Sequence, residues 1–238
     1  MLKSLITQKK TGDPQQNDVQ LSRRKFFNYA GTAASIAVIA TSCTKEELPG
    51  GANNTNNHEY NLGSGDIGIL NYAYALEQLE AAFYIKVIQT QFSGITGMQV
   101  VRFIEIRDHE IAHREFFKNA LGSNAIGQLE VDFSSINFSS KDSVLMTAKA
   151  FEDLGVSAYN GAGRLIMNPD YLVAAGKIVS VEARHAAWIR DQIAFGSFAN
   201  EEVVDAMGLD VTRRPKEVLA IASKYIKTPI NADNLPTY

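Results

Sequence analysis

Two tetrapeptides, Glu110-Ile111-Ala112-His113 and Glu182-Ala183-Arg184-His185, constrain this chain more than any other feature. Each sets a glutamate and a histidine three residues apart, which on a helix puts both side chains on one face. That face is the apolar one. Phe103, Ile106, Glu110, His113 and Phe117 share one stripe, and Ile178, Glu182, His185 and Ile189 share another, so both polar pairs point into a core.

Two further glutamates complete the pattern. Glu77 lies on a stripe with Leu70, Ala73, Ala81 and Tyr84, and Glu152 on one with Leu145, Ala148, Val156 and Tyr159. The chain therefore states one arrangement twice: a glutamate with a tyrosine seven residues on, then a glutamate with a histidine three residues on. Burying even one uncompensated carboxylate costs several kcal/mol, and four in one core repel until some are protonated. Two divalent cations carry the charge that balances four ionised glutamates, with two neutral imidazoles completing the coordination. Cys43 is the only cysteine, so thiolate clusters and internal disulfides are excluded and any metal is held by nitrogen and oxygen. Glu80, one turn after Glu77, is the alternative ligand on that segment.

Apolar residues recur at steps of three and four through four long stretches, which predicts helices. The first runs from about Asp66 to Gln91 and the second from about Thr96 to Leu121. A third, capped by Ser139 or Ser140, reaches about Met167, and a fourth follows Asn168-Pro169-Asp170 and ends near Phe195-Gly196. Short turns within each pair make its helices antiparallel, while Gly122 to Ser140 is a longer strap or loop. Short helices, one over Pro215 to Lys227, pack on the exterior. The expected fold is all-α, an antiparallel four-helix bundle over 66–197 with a C-terminal extension over 198–238.

The first 65 residues read differently. Arg23 and Arg24 precede a short apolar stretch from Tyr29 to Ala40 and small residues before Cys43, resembling a twin-arginine export signal with a lipoprotein-type cleavage box over 1–43. That stretch is shorter than the roughly 20 residues a membrane span needs. Residues 44–65, rich in Asn, Gly, Thr and Glu, read as a flexible linker. The localisation expected is the periplasm or cell envelope, with the membrane touched only through a lipid anchor at Cys43. A formal net charge of -3 and no basic cluster past the signal argue against nucleic acid as a partner.

The runs Leu76 to Tyr84, Asp108 to His113, Glu152 to Gly163 and Glu182 to Trp188 resemble the ferritin-like superfamily, in particular exported ferritin-like proteins related to plant desiccation-induced proteins. The resemblance implies that Glu110 and Glu182 bridge two metal ions and that Glu77 and Glu152 are terminal carboxylates. It implies that His113 and His185 bind one ion each, and that Tyr84 is a donor beside the ligands or a redox-active neighbour. Iron is expected ahead of manganese, with oxygen or peroxide as the reacting partner, and a homodimer is an open expectation. His109 reads as a solvated residue or one behind the ligands, Trp188 as core, and Arg107, Arg114 and Arg184 as solvated or as orienting the bridging glutamates.

The leading functional reading is a di-iron oxidase, ferroxidase or manganese-catalase-like centre that activates oxygen or peroxide, oxidises ferrous iron or protects against oxidative stress. The alternative is a structural or stress-tolerance bundle of the envelope, with metal absent or only a staple.

Overall fold

Local chemistry at the turns decides where the helices of this chain begin and end. The computed structural model describes residues 59–238. Arg23, Arg24, Cys43 and linker residues 44–58 lie outside the described residues, while the last seven linker residues, 59–65, are described. After a two-residue strand β1 (Tyr60–Asn61), helix α1 spans Gly65–Thr90 and α2 spans Gly97–Leu121. Thr96 starts α2 with a capping box: its hydroxyl accepts from the Gln99 amide at 3.2 Å, and the Gln99 side chain accepts from the Thr96 amide at 3.0 Å. Gly122 stops it, at a φ of 55° that a residue with a Cβ resists.

Helix α3 spans Lys141–Gly163 behind a Ser140 cap, and α4 spans Pro169–Ile193 with Pro169 in its first turn. The third helix thus stops short of Met167. The amides of Met167 and Asn168 both donate to the carboxylate of Asp66, at 2.8 Å each, which ties the turn to the start of α1. The residue before a proline is also pushed out of helical geometry, so the chain must straighten by Asn168.

The helices pack as two hairpins, α1 against α2 and α3 against α4, with α1 and α3 also in contact. Helix α1 is enclosed almost all round, every residue from Gly68 to Ala81 being buried. Its outer face is covered by the connection from Gly122 to Ser140, which Asn71 and Gln78 pin in place. Asn71 Nδ2 donates to the carbonyls of Leu62 and Asn124, and its Oδ1 accepts from the Ile126 amide. Gln78 does the same for Gly127 and Leu129. Further along, Phe133 and Phe138 pack on Phe83.

The C-terminal segment holds one helix, α5 (Pro215–Ala222), and a two-residue strand β2 (Ile230–Asn231) that pairs in parallel with β1. Asn200-Glu201-Glu202 forms a turn rather than a helix, with the Asn200 amide oxygen accepting from the Glu202 amide and from Arg190. The stretch before α5 lies hard against α3. A Cβ at Gly161 would sit 1.7 Å from the Arg213 carbonyl oxygen, so that approach needs a glycine. No helix among the described residues is long and apolar enough to cross a membrane.

Candidate metal centre

Because Glu77, Glu110, Glu152 and Glu182 come from four different helices at the same depth, the bundle brings them to one point. All four are at most 1% exposed. His113 and His185 follow their glutamates by one helical turn on α2 and α4 and lie in the same layer. Two overlapping sets result: Glu77, Glu110, His113 and Glu182, and Glu110, Glu152, Glu182 and His185, each with one ligand atom per residue and all within 4.8 Å of one another. Glu110 and Glu182 belong to both sets, and each of the other four residues to one.

Inside the cluster the atoms are close without being hydrogen-bonded. His113 Nδ1 lies 2.7 Å from Glu182 and 3.6 Å from Glu77 and Glu110. His185 Nδ1 lies 2.8 Å from Glu110, 3.3 Å from Glu182 and 3.5 Å from Glu152. Yet both Nδ1 atoms, both oxygens of Glu110 and of Glu182, and one oxygen each of Glu77 and Glu152 are buried with no partner in hydrogen-bond geometry. Groups that are near one another but mis-aimed for hydrogen bonds converge on a shared centre. A donor set of carboxylate oxygens and imidazole nitrogens suits iron, manganese or zinc as divalent ions, so the residues fit the metal that the charge argument requires.

The remaining carboxylate oxygens are held from outside by tyrosines that cross between the hairpins. Tyr84 of α1 donates to Glu152 Oε1 of α3 at 2.5 Å, and Tyr159 of α3 donates to Glu77 Oε1 of α1. Burial, then the adjacent glutamates, pushes both phenols well above their ordinary range, so both keep the proton they donate. Tyr84 therefore stands beside the ligands as a donor. Tyr159, read from sequence as part of a packing stripe, holds the equivalent place, and its matching seven-residue offset from Glu152 was the signal for it.

Electrostatics in the metal-free cluster follow from crowding. Burial first, then the charge of Glu182, raises Glu77 and Glu110 above the usual carboxylate range. Burial also raises Glu152, against the lowering by His185. Glu182 goes the other way, to about 2, because its contacts with both histidines outweigh burial. Burial alone would lower His113, but Glu110, Glu182 and Glu77 around it push it up to about 12, and His185 moves up likewise. Without metal, two imidazolium ions supply the countercharge.

Glu80 is buried too, but stands outside both ligand sets. It makes no hydrogen bond or ion pair with a described residue, and burial with four neighbouring glutamates raises it well above its usual range. Its carboxylate occupies space left by Gly155, where an added Cβ would come within 2.9 Å of Glu80 Oε1. Around the cluster, Arg107 pairs with Asp108, Arg114 with Glu115, and Arg184 bonds to Ser180, so none of the three orients a ligand. Trp188 packs edge-on against Phe103 at 5.3 Å. His109 is in contact with a ligand: its Nδ1 lies 2.9 Å from His185 Nε2, the rings nearly parallel.

The sequence model of a family described as a ferritin-like domain matches residues 65–194, the span of the four helices and their connections. Among curated proteins, no significant match to the chain was found.

Proposed function

The chain belongs to the ferritin-like domain family, and from that premise we propose that it is an exported protein whose bundle holds two metal ions, iron ahead of manganese. Its reaction is the activation of oxygen or peroxide, with ferrous-iron oxidation or protection against oxidative stress as the outcome. The observation that carries this is the pair of overlapping ligand sets, whose buried atoms converge without bonding to one another.

Glu77 and His113 would hold one ion and Glu152 and His185 the other, with Glu110 and Glu182 shared between them. Such an ion pair, when bound, supplies Lewis acidity and the electrons for reducing oxygen or peroxide. The chain supplies the rest. Four ionised carboxylates neutralise two divalent charges, and both histidines must give up a proton to expose Nδ1. Tyr84 and Tyr159 fix the orientation of the two terminal carboxylates through hydrogen bonds. The apolar shell of Phe103, Ile106, Phe117 and Ile189 keeps water from competing for the ligands.

Export is proposed to follow the twin-arginine route, which carries folded proteins and so permits loading in the cytoplasm, with Cys43 as the lipid-bearing residue on the envelope side. The proposed partners are metal ions and oxygen or peroxide, not nucleic acid.

Metal analysis of the full-length protein beside a Glu110→Ala, Glu182→Ala double variant tests the reading. About two ions per wild-type chain and none in the variant are expected. A wild-type protein that takes up neither ferrous nor manganous ion would overturn it and leave the structural bundle. Peroxide consumption without iron oxidation would select catalase-like chemistry.

A further inference from the structure

The doubled pattern is not carried through to the residues behind the histidines. On α2 the residue before Glu110 is His109; on α4 the residue before Glu182 is Val181. His109 reaches across to α4 and places its Nδ1 2.9 Å from Nε2 of His185, with the two rings inclined by 10°. Val181 has no polar atom to offer, and among the described residues no side chain accepts a hydrogen bond from the outer nitrogen of His113. One ligand histidine is backed and the other is not.

We propose that His109 is a positioning residue that makes the two metal positions unequal, by fixing His185 with its Nδ1 free for metal. This rests on the dimetal reading above. The imidazole has two nitrogens, and a histidine that binds through Nδ1 must carry its proton on Nε2. An acceptor facing Nε2 holds the proton there and fixes the ring plane, and the inner nitrogen of His185 already faces Glu110, Glu182 and Glu152. Residues in this role are worth 10–100-fold in metal affinity. The position shared by Glu152 and His185 is therefore the tighter one and fills first, while His113, without an acceptor, serves the weaker position.

The test is a titration of the full-length metal-free protein with cobaltous ion alone, followed by calorimetry and by the visible absorption bands of the bound ion. Wild type should take two equivalents with separable affinities. His109→Leu should weaken the first by 10–100-fold while leaving the second within about threefold, and His109→Gln, whose amide oxygen can accept from Nε2, should restore much of the difference. The first-equivalent band should also change shape in the leucine variant, which a loss of general stability would not produce. Identical isotherms and spectra for wild type and His109→Leu overturn the inference with the dimetal reading intact. A wild type that binds no cobalt overturns both. His109 is exposed, so the variants should fold, and His109→Ala provides the same comparison without added bulk should the leucine variant fail.

Discussion

Two places in this molecule bury charge, and they handle it in opposite ways. Arg190, near the end of α4, is 2% exposed. Its guanidinium donates to Asp153 at 2.6 Å, to Asn200 and Glu202 at 2.6 Å each, and to the Ser197 carbonyl at 3.0 Å. Five residues earlier on the same helix, His185 sits among carboxylates whose inward atoms lack hydrogen-bond partners. The division falls between adjacent residues on α3, where Asp153 faces the arginine and Glu152 the cluster. The same fold gives the buried guanidinium four hydrogen bonds and leaves only Oδ1 of its Asp153 partner unpaired. That it leaves eight inward atoms of the glutamates and histidines unpaired is what supports reading them as a site for something bound.

Breaking the arginine knot should have the largest effect. Arg190→Met leaves Asp153 half-buried without its partner and strands the turn at Asn200, and losing one member of a buried pair typically costs about 3–5 kcal/mol. Urea unfolding should show that loss equally with and without metal, and metal stoichiometry should be unchanged. A loss under about 1 kcal/mol would place the guanidinium among ordinary surface pairs.

At the cluster, the expected sign is reversed: adding ions stabilises. At a free-metal concentration a hundredfold above the dissociation constant, the gain is about 2.7 kcal/mol per site, read as a rise in melting temperature. The pH dependence separates the two states. His113 is raised to about 12 in the metal-free fold, so its contribution is complete below its unfolded value of about 6.5 and declines as pH rises toward 12. Glu110, raised above its unfolded value, works in the same direction from about pH 4.5 upward. The metal-free protein should therefore lose stability between pH 6 and 9. Metal affinity should rise over the same range because loading displaces the histidine protons, which calorimetry in two buffers of different ionisation enthalpy counts. A pH-independent affinity would contradict this.

These two regions also differ in how far the sequence discloses them. The glutamate and histidine cluster was legible because helical periodicity is local: a polar residue on an apolar stripe is visible from spacing alone, and four such stripes imply one layer. The seven-residue offset to Tyr84 favoured Glu77 and left Glu80 as the alternative, since both lie on the inward side of a helix that is buried nearly all round, and the placement of α3 with Gly155 shows which carboxylate meets the histidines. The knot at Arg190 was not legible. Its partners come from a neighbouring helix and from a turn at Ser197 to Glu202, so they are joined by tertiary packing and not by any period. The pinning of the Gly122–Ser140 connection by Asn71 and Gln78 was missed for the same reason, although their seven-residue spacing on one face was available as a sign. The contact of His109 with His185 likewise depends on the placement of α2 against α4.

Glu80 sharpens the contrast, because it has the burial of the cluster without a place in either ligand set. Glu80→Gln keeps the shape and removes the ionisable group, and with it the cost of holding a carboxyl that burial keeps from ionising. The native carboxyl has its folded value raised above the unfolded one, so its penalty is absent below about pH 4.5 and grows with pH. The melting-temperature gain of the variant should accordingly be near zero at pH 4 and increase toward neutrality, with metal stoichiometry held at two. Loss of one ion from this variant would move Glu80 into the ligand set.

The smallest effect is the most discriminating. Tyr84→Phe removes the donor to Glu152, and Tyr159→Phe removes the donor to Glu77, each without changing the packing of the ring. One hydrogen bond of this kind contributes about 1 kcal/mol, so the two metal-free proteins should be destabilised by similar small amounts in urea. The bonds cross between hairpins, from α1 to α3 and back, so each variant loosens the carboxylate on the opposite hairpin from its tyrosine. Tyr84→Phe should therefore weaken the ion shared with His185 and Tyr159→Phe the ion shared with His113. If His109 already fixes the His185 position, the same deletion costs that tighter position a smaller fraction of its affinity. Equal fractional losses in the two variants, measured by cobalt titration, would show that the two halves of the site are equivalent after all.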